Sequence, residues 1–288
     1  MILVTAAFGH QGKLLLPKLA ASGVKVRAAR GKPGRDDELL ALGASEVFVG
    51  DISDPDVYSE AADGCDAVYH VGPSAHPKEL EMGFAAIEAA KRVGVRHFVL
   101  SSVMHTIIDI KQHRYKRDVE EALIESGLNF TILKPCDFMM RELHVAPVDR
   151  GVLPCFWTDL SRKHSYIAME DLTDVAAKVL LEGSAHYCAS YELAGPDKLD
   201  APEMARILSR VVGKDIEVLS LTPDKMIELF YGSADLGDKL PHEGEIVFSI
   251  QRWYSKFDFV GNPNVLQWLL GRRPTTFEQF ATAAYADK

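Results

Sequence analysis

The sequence predicts an α/β fold, in which a doubly wound parallel sheet is followed by a smaller, mostly helical lobe towards the C-terminus. Two observations predict it. Up to Pro135, short apolar runs alternate with longer helical patterns, and near-continuous apolar strands joined by helices are typical of a parallel sheet that is covered on both faces. After Pro135 the alternation stops and the chain becomes aromatic and interrupted by prolines, which indicates an excursion from the sheet.

The predicted elements follow one another as strand, helix, strand. Apolar runs predict six strands in the sheet, at residues 2–5, 24–29, 46–49, 67–71, 97–100 and 130–133. Helical periodicity predicts helices at residues 11–21, 79–93, 114–126, 171–181 and 202–212, with a further short strand at 191–193. Residues 137–164 are expected to leave the sheet, and the aromatic tail is expected to belong to the helical lobe.

Composition excludes several classes of protein. The 288 residues carry 32 Lys and Arg against 41 Asp and Glu, a net charge of −9, which argues against a protein that binds nucleic acid through its general surface. The chain opens directly on a strand and has no apolar stretch long enough for a membrane helix. The four cysteines form no Cys-x-x-Cys pair and no two histidines stand three or four residues apart, so we expect no metal site and a cytoplasmic location.

The segment between the first strand and the first helix has the pattern of a dinucleotide-binding turn. Such a turn needs small residues at three-residue steps, because the backbone turns sharply and approaches a pyrophosphate closely. Gly9 and Gly12 supply two of these steps and Ala6 stands at the third. The residues expected to bind the cofactor here are Thr5, Gly9, His10, Gln11 and Gly12. A strand-to-helix turn with a purely structural role is the alternative.

This turn predicts the function of the larger part of the chain. We expect a dinucleotide-binding (Rossmann) domain over residues 1–136, to which residues 165–195 return. Residues 137–164 and 196–288 are expected to form the smaller lobe.

The end of the second strand predicts which nicotinamide cofactor is used. An acidic residue about 20 positions after the first glycine binds the ribose 2′-hydroxyl of NAD, whereas an arginine there favours the 2′-phosphate of NADP. No carboxylate occurs between the second strand and Asp36. We therefore expect Arg30, helped by Lys32 or Arg35, to bind NADP(H) through charge-assisted hydrogen bonds. A solvated basic loop is the alternative.

Several motifs in order make the chain resemble a known family. They are GDI at 50–52, GCDAV at 64–68, the run 89–102, TILKP at 131–135, YELAGP at 191–196 and LGRRPTTF at 270–277. With the glycine turn, this series resembles the NmrA-like branch of the atypical short-chain dehydrogenases, which includes isoflavone-reductase-type and quinone-reductase-type enzymes. The chain departs from the family at Ala6, in place of a glycine, and in a second strand that is one residue shorter before its final arginine.

The resemblance implies further cofactor contacts. Asp51 and Ile52 are expected to border the adenine, and Val71, Gly72 and Pro73 are expected to lie beside the cofactor. The C-terminal lobe is expected to form the substrate pocket. Its candidate lining residues are His76, Phe138, Met139 and Tyr166, and a place in the hydrophobic core is the alternative for the apolar ones.

The catalytic pair of a standard short-chain dehydrogenase is absent. That pair is a tyrosine followed four residues later by a lysine, but Gln112 stands four residues before Lys116. Tyr115 adjoins Lys116 and points about 100° away around the helix. Lys116 shares a helix face with Val119, so it is expected at the end of the core-facing stripe.

By resemblance, Lys116 is expected to hold the nicotinamide ribose and to donate a proton. His113 lies one turn earlier on the same face and is a second candidate donor, while Ser102 is a candidate to polarise a carbonyl. The alternatives are that Lys116 is a ribose anchor or an exposed lysine, and that His113 and Ser102 are structural.

These observations predict an NADPH-dependent reductase that transfers hydride to a small aromatic or enone- or ketone-type substrate. Two other functions stay open at this point. One is an NmrA-type redox sensor that binds NADP without turnover and docks a protein partner. The other is a redox-neutral isomerase or cyclase built on the same scaffold. The sequence makes no prediction of the oligomeric state.

Overall fold

The computed structural model describes residues 1–74, 76–231 and 240–286. The chain divides into two compact units. The first contains Met1–Thr106, Tyr115–Lys134 and Leu172–Tyr191. The second contains Ile107–Arg114, Pro135–Asp171 and Glu192–Lys288.

The described residues form strands and helices that alternate in the first half of the chain. The strands are β1 Ile2–Val4, β2 Val26–Arg30, β3 Glu46–Val49, β4 Ala67–Val71, β5 His97–Ser101, β6 Phe130–Pro135, β7 Asp137–Met139, β8 Val152–Cys155, β9 His164–Ala168, β10 Ala189–Leu193, β11 Lys198–Leu199 and β12 Glu217–Ser220. The helices are α1 His10–Ala21, α2 Asp36–Ala41, α3 Pro55–Ala62, α4 Glu79–Val93, α5 Lys111–Glu125, α6 Arg141–His144, α7 Met169–Glu182, α8 Ala201–Val212, α9 Pro223–Tyr231, α10 Leu240–Tyr254, α11 Asn264–Leu270 and α12 Phe277–Ala286. Short 3₁₀ helices cover Ala146–Arg150 and Gly183–His186.

The central sheet confirms the predicted doubly wound α/β fold. Its strands lie in the order β10-β6-β5-β4-β1-β2-β3, and the pairs among β1 to β6 are parallel. The order runs outwards in both directions from β1, so the crevice between the carboxyl ends of β1 and β4 is the place where such sheets bind ligands. The sheet has seven strands, where about six were predicted. The short strand predicted at 191–193, in the part of the chain expected to return to the Rossmann domain, is the end of β10, the seventh strand beside β6.

An apolar core fixes this sheet against its helices. Leu3, Tyr58, Val68 and Phe98 are fully buried in one cluster with side chains of α3, α4 and α5. Burying a large apolar side chain contributes roughly 1.5–3 kcal/mol, so the cluster holds the strand ends at which the candidate site lies. Gly83 allows α4 and α5 to pack closely, because a Cβ at this position would lie 2.4 Å from the Val119 Cγ2.

Among the described residues, the second unit combines helices α6 and α8 to α12 with two small sheets. These have the orders β11-β9-β7 and β12-β8, which the sequence did not predict. The fully buried His164 is the first residue of β9: its Nδ1 is 2.7 Å from an oxygen of Asp137, and its ring stacks on Trp157 with 4.0 Å between centroids. Tyr254 donates a hydrogen bond to Asp137; burial and then this carboxylate raise the pKa of Tyr254.

Membrane-spanning helices and metal-binding clusters are both absent from residues 1–74, 76–231 and 240–286. No helix there is long and apolar enough to cross a membrane. No group of three or more His, Cys, Asp or Glu side chains comes together there in a way that could hold a metal ion.

Candidate cofactor and active site

The turn after β1 is held to β4 by Thr5. The buried Thr5 hydroxyl accepts a hydrogen bond from the Val71 backbone N–H at 2.9 Å, and the Thr5 N–H donates to the Tyr69 carbonyl at 3.0 Å. These bonds join the carboxyl ends of β1 and β4. Thr5 and Val71, both predicted cofactor residues, therefore meet at the topological switch point of the sheet.

The glycine turn has the tight geometry that its sequence predicts. A Cβ on Gly12 would lie 2.5 Å from the Ala7 carbonyl oxygen, and one on Gly9 would lie 3.0 Å from the Ala6 oxygen. Ala6 itself has φ +49°, a left-handed conformation that glycine adopts more easily, which explains why related turns carry glycine there. The turn tolerates alanine at this step with backbone strain of roughly 1–2 kcal/mol.

The N-terminus of α1 follows this turn and is open to an anion. Gly9 caps the helix without a side-chain hydrogen bond, and the first turn of α1 contains no acidic residue. His10 is exposed at the first helical position. Unsatisfied N–H groups and the helix dipole favour a phosphate at such a position, so the residues present fit a dinucleotide pyrophosphate.

Gly12→Ala is expected to damage both the fold and cofactor binding. Since a Cβ would meet backbone atoms of Ala7 and Ala6 at less than 3 Å, the turn must widen, at a cost of roughly 1–3 kcal/mol. We expect a lower melting temperature and at least about tenfold weaker NADPH binding by calorimetry. Gly31→Ala is the matched control, because no heavy atom lies within 4 Å of its Cβ position. Equal affinities of the Gly12 variant and the wild type would contradict this account of the turn.

Gln11 links the turn to two strands. Its side-chain oxygen accepts hydrogen bonds from the Tyr69 hydroxyl at 2.6 Å and from the Ser101 hydroxyl at 2.9 Å. Because Gln11 is buried, this oxygen joins α1 to the ends of β4 and β5. Gln11 therefore has a structural role at the crevice, beside its predicted role in cofactor binding.

Arg30 ends β2 and points into a cluster that the sequence did not fully predict. The guanidinium carbons of Arg30 and Arg35 lie 4.7 and 4.8 Å from the centroid of the Phe8 ring. Arg30 also pairs with Asp36 at 2.8 Å, and its buried Nε has no hydrogen-bond partner among the described residues. Two guanidinium groups on one aromatic ring, one with a spare buried donor, fit a phosphate monoester.

Phe8 is the residue of this cluster that sequence analysis missed. Cation–π contact explains its role, since aromatic faces attract guanidinium groups within about 6 Å. The signal was an aromatic residue inside the glycine turn, with basic residues at the end of the second strand. Lys32, the other predicted helper of Arg30, is exposed in the loop before α2.

The predicted adenine residues follow β3. Asp51 is exposed and accepts a hydrogen bond from the Ser53 N–H at 3.0 Å. Hydrogen bonds from Ser53 lower the pKa of Asp51, so its carboxylate is ionised at neutral pH. Ile52 is half-buried against the core cluster of the sheet.

A small cavity, with room for about one water molecule, lies beyond the carboxyl ends of β4 and β5. Its lining residues come from these strands and from α4 and α5: His70, Gly72, Glu79, Gly83, Leu100, Ser102, Tyr115, Lys116 and Val119. The Lys116 Nζ lies 2.9 Å from the Glu79 Oε1, and the two side chains are only 14% and 3% exposed. The structure thus places Lys116 and Gly72, two predicted site residues, at one cavity, with a buried ion pair in its wall.

Tyr115 lines the same cavity as Lys116. Adjacent positions on a helix point about 100° apart, but both residues are half-buried and their long side chains reach the same space. The expectation that Tyr115 points away from Lys116 is therefore not met, because both side chains reach the cavity.

Ser102 also lines the cavity, but its hydroxyl is engaged. It donates a short hydrogen bond to the buried Glu120 carboxylate, which also accepts from Thr106 and from Lys134 at 3.2 Å each. Because the hydroxyl proton of Ser102 points to Glu120, the structure favours the structural alternative for this residue.

His70 is the neutral base of the cavity wall. Its Nδ1 lies 3.0 Å from the Tyr58 hydroxyl. Burial, and next the positive charge of Lys116, lower the pKa of His70 to about 3. His70 is therefore uncharged at neutral pH.

The remaining predicted site residues lie elsewhere. His113 belongs to the second unit, where it is buried with its ring against Phe259. Met139 and Tyr166 are core residues of that unit, 2% and 3% exposed. Phe138 is half-buried in β7, and His76 accepts a backbone hydrogen bond from Lys78 in the loop before α4. Pro73 lies in the same loop.

Comparison with known proteins places the chain in a family. The NAD(P)H-binding family matches residues 6–182, more than half of the chain. The chain belongs to the NAD(P)H-binding family. This confirms the predicted resemblance to atypical short-chain dehydrogenases and the nicotinamide class of cofactor.

Two family relatives are named reductases. The chain is 33% identical over 232 residues to the (4-alkanoyl-5-oxo-2,5-dihydrofuran-3-yl)methyl phosphate reductase of Streptomyces griseus, with 78% of each protein covered. It is 28% identical over 234 residues to the NAD(P)H azoreductase of Xenophilus azovorans, with 81% of each covered. The predicted enzyme class is an NADP-dependent oxidoreductase, and these names support an NAD(P)-dependent one.

Solved structures share the fold of this family member over nearly the whole chain. The triphenylmethane reductase of Citrobacter sp., complexed with NADP(H), has a TM-score of 0.82 at 22% identity, covering 98% of this chain and 99% of that chain. NmrA, a negative transcriptional regulator, has a TM-score of 0.78 at 16% identity, covering 99% and 96%. The same fold therefore serves both a reductase and a regulator.

Proposed function

We propose that the protein is an NADPH-dependent reductase that adds hydride to a small aromatic or enone- or ketone-type compound. The observation that carries the proposal is the lysine at the cavity beyond β4 and β5. Lys116 Nζ is largely buried, lies 2.9 Å from a carboxylate oxygen, and lines the small cavity at the carboxyl ends of these strands. The two named reductases among the relatives support the same class of reaction.

The proposed cofactor-binding residues lie at two places. One is the glycine turn, and the other is the Phe8 cluster, which consists of Phe8, Arg30 and Arg35. Gly9, Gly12 and the N-terminus of α1 would hold the pyrophosphate. Arg30 and Arg35 would bind the 2′-phosphate of NADPH, replacing part of their pairing with Asp36 and Glu38. NADPH is proposed rather than NADH because NADH has no 2′-phosphate for these two arginines to bind.

Lys116 is proposed to serve both cofactor and substrate. When bound, NADPH supplies the hydride. Lys116 Nζ holds the ribose hydroxyls and donates a proton to the substrate atom that gains negative charge. The substrate thereby gains one hydride and one proton, and a proton from solvent restores Lys116.

A regulator that binds NADP without turnover is the second candidate. It is supported by the fold shared with NmrA and by Gln112 at the position of the usual catalytic tyrosine. A protein partner would then read the redox state of the bound cofactor. A redox-neutral isomerase or cyclase would need neither oxidation nor reduction of the cofactor.

Incubation of the purified protein with NADPH and a panel of acceptors tests the proposal. The panel contains quinones, enones, aromatic ketones and azo compounds, the last because one relative is an azoreductase. We expect acceptor-dependent loss of absorbance at the NADPH band with at least one of them. Tight NADPH binding without turnover on any acceptor would favour the regulator, and conversion of a substrate without NADPH consumption would favour the isomerase.

A further inference from the structure

Glu79 is a buried carboxylate for which the proposed mechanism has no role. It is the first residue of α4 and its side chain is 3% exposed. It is the only carboxylate among the described residues that line the cavity. Burying a charge in this way is costly unless it is paired, and its ion-pair partner here is Lys116.

The packing of two helices brings this pair together. Gly83 lies one turn after Glu79 on α4, and Val119 lies one turn after Lys116 on α5. A Cβ on Gly83 would lie 2.4 Å from the Val119 Cγ2, so glycine allows the two helix faces to touch. The close contact at Gly83 and Val119 places the Glu79 carboxylate next to the Lys116 ammonium, one turn earlier on both helices.

Other groups of the cavity wall do not replace Glu79. His70 is neutral and its Nδ1 is bonded to Tyr58. Glu120 is not among the lining residues, and its carboxylate already accepts from Ser102 and pairs with Lys134. The N-terminus of α4 also favours a negative charge at Glu79, through the helix dipole.

We propose that Glu79 is a positioning residue, which holds the flexible Lys116 side chain in the one orientation that binds the nicotinamide ribose. A lysine side chain has four rotatable bonds and loses much conformational freedom when it is ordered. Pairing with Glu79 orders Lys116 before NADPH arrives, so less freedom is lost on binding. The Gly72 end of β4 lies against the pair, with its Cβ position 3.9 Å from the Lys116 Nζ. The inference rests on the proposed function, because it assigns NADPH as the ligand of Lys116.

A double-mutant cycle on NADPH affinity tests the proposal without any acceptor substrate. The variants are Glu79→Gln, Lys116→Met and the double variant, and the readout is the NADPH dissociation constant from fluorescence titration. We expect about tenfold weaker binding for Glu79→Gln, about 1.4 kcal/mol. The double variant should bind NADPH as Lys116→Met does, because Glu79 acts through Lys116. Additive losses, unchanged affinity or tighter binding by Glu79→Gln would overturn the proposal.

Two further variants separate positioning from a merely structural role. Glu79→Asp keeps the charge with a shorter side chain, whereas Glu79→Gln keeps the shape without the charge. We expect the aspartate variant to retain more NADPH affinity, and the reverse order would contradict the proposal. Glu81→Gln is the matched control: it removes an exposed carboxylate from the same first turn of α4 and should bind NADPH like the wild type. Thermal unfolding of each variant checks that it is folded.

Failure of the role proposed for Glu79 can be told apart from failure of the proposed reductase function. A wild type that binds NADPH but reduces no acceptor would refute the reductase, and the cycle would still decide the role of Glu79. A wild type that reduces an acceptor, with unchanged NADPH affinity in Glu79→Gln, would refute the role of Glu79 and leave the reductase standing.

Discussion

Lys116→Met is expected to lower kcat for acceptor reduction by about 10²-fold or more, the usual contribution of a positioned proton donor. Methionine has a similar length but no N–H group, so both the proton donor and the ribose contact are lost. NADPH binding should also weaken, by about tenfold. Steady-state rates at saturating NADPH, compared with titrations in the absence of acceptor, separate the two effects.

Tyr115→Phe is the control for this experiment, because Tyr115 lines the same cavity as Lys116 and its hydroxyl is a second group that could donate a proton. We expect the phenylalanine variant to retain most of the wild-type kcat. A large loss in Tyr115→Phe, with little change in Lys116→Met, would show that the tyrosine is the proton donor and that Lys116 is only an anchor.

Arg30→Ala is expected to remove most of the preference for NADPH over NADH. A charge-assisted hydrogen bond contributes roughly 1.5–3 kcal/mol, so the ratio of the two dissociation constants should fall by about 10- to 100-fold. The affinity for NADH should change little, because that cofactor has no 2′-phosphate. Calorimetric titration of both cofactors measures the ratio directly.

Lys32→Ala is the matched control for Arg30, since it removes a positive charge from the same loop while Lys32 is exposed. We expect a small change in NADPH affinity, as screened surface charges contribute little. A wild type that binds NADH as tightly as NADPH would contradict the role given to the Phe8 cluster, whatever the variants do.

The parts of the site that were predicted are set by local sequence. The order of strand, small-residue turn and helix at residues 2–21 is a property of neighbouring residues, so Gly9 and Gly12 could be placed at the cofactor turn before any tertiary contact was known. The same holds for Arg30 at the end of β2 and for Lys116 on the core-facing side of α5.

The parts that were missed depend on contacts between distant residues. Glu79 and Lys116 are 37 positions apart and meet only because Gly83 lets α4 and α5 approach. Ser102 was a candidate to polarise a carbonyl, but its hydroxyl donates a hydrogen bond to Glu120, which is 18 residues later in the sequence. Helical periodicity predicts which face of a helix is buried, but not which residue of another element packs against that face. The pairing of Lys116 with Glu79 and of Ser102 with Glu120 could therefore not be predicted from the sequence.

The most direct test of the central claim is transfer of deuterium from NADPH labelled at nicotinamide C4 to an enone or aromatic ketone of the panel, because deuterium delivered to carbon does not exchange with water. If the protein is a reductase, mass spectrometry will find one deuterium in the reduced product from one of the two C4-labelled epimers and none from the other. Product without deuterium from either epimer, formed at the same rate with and without NADPH, would contradict the proposed hydride transfer.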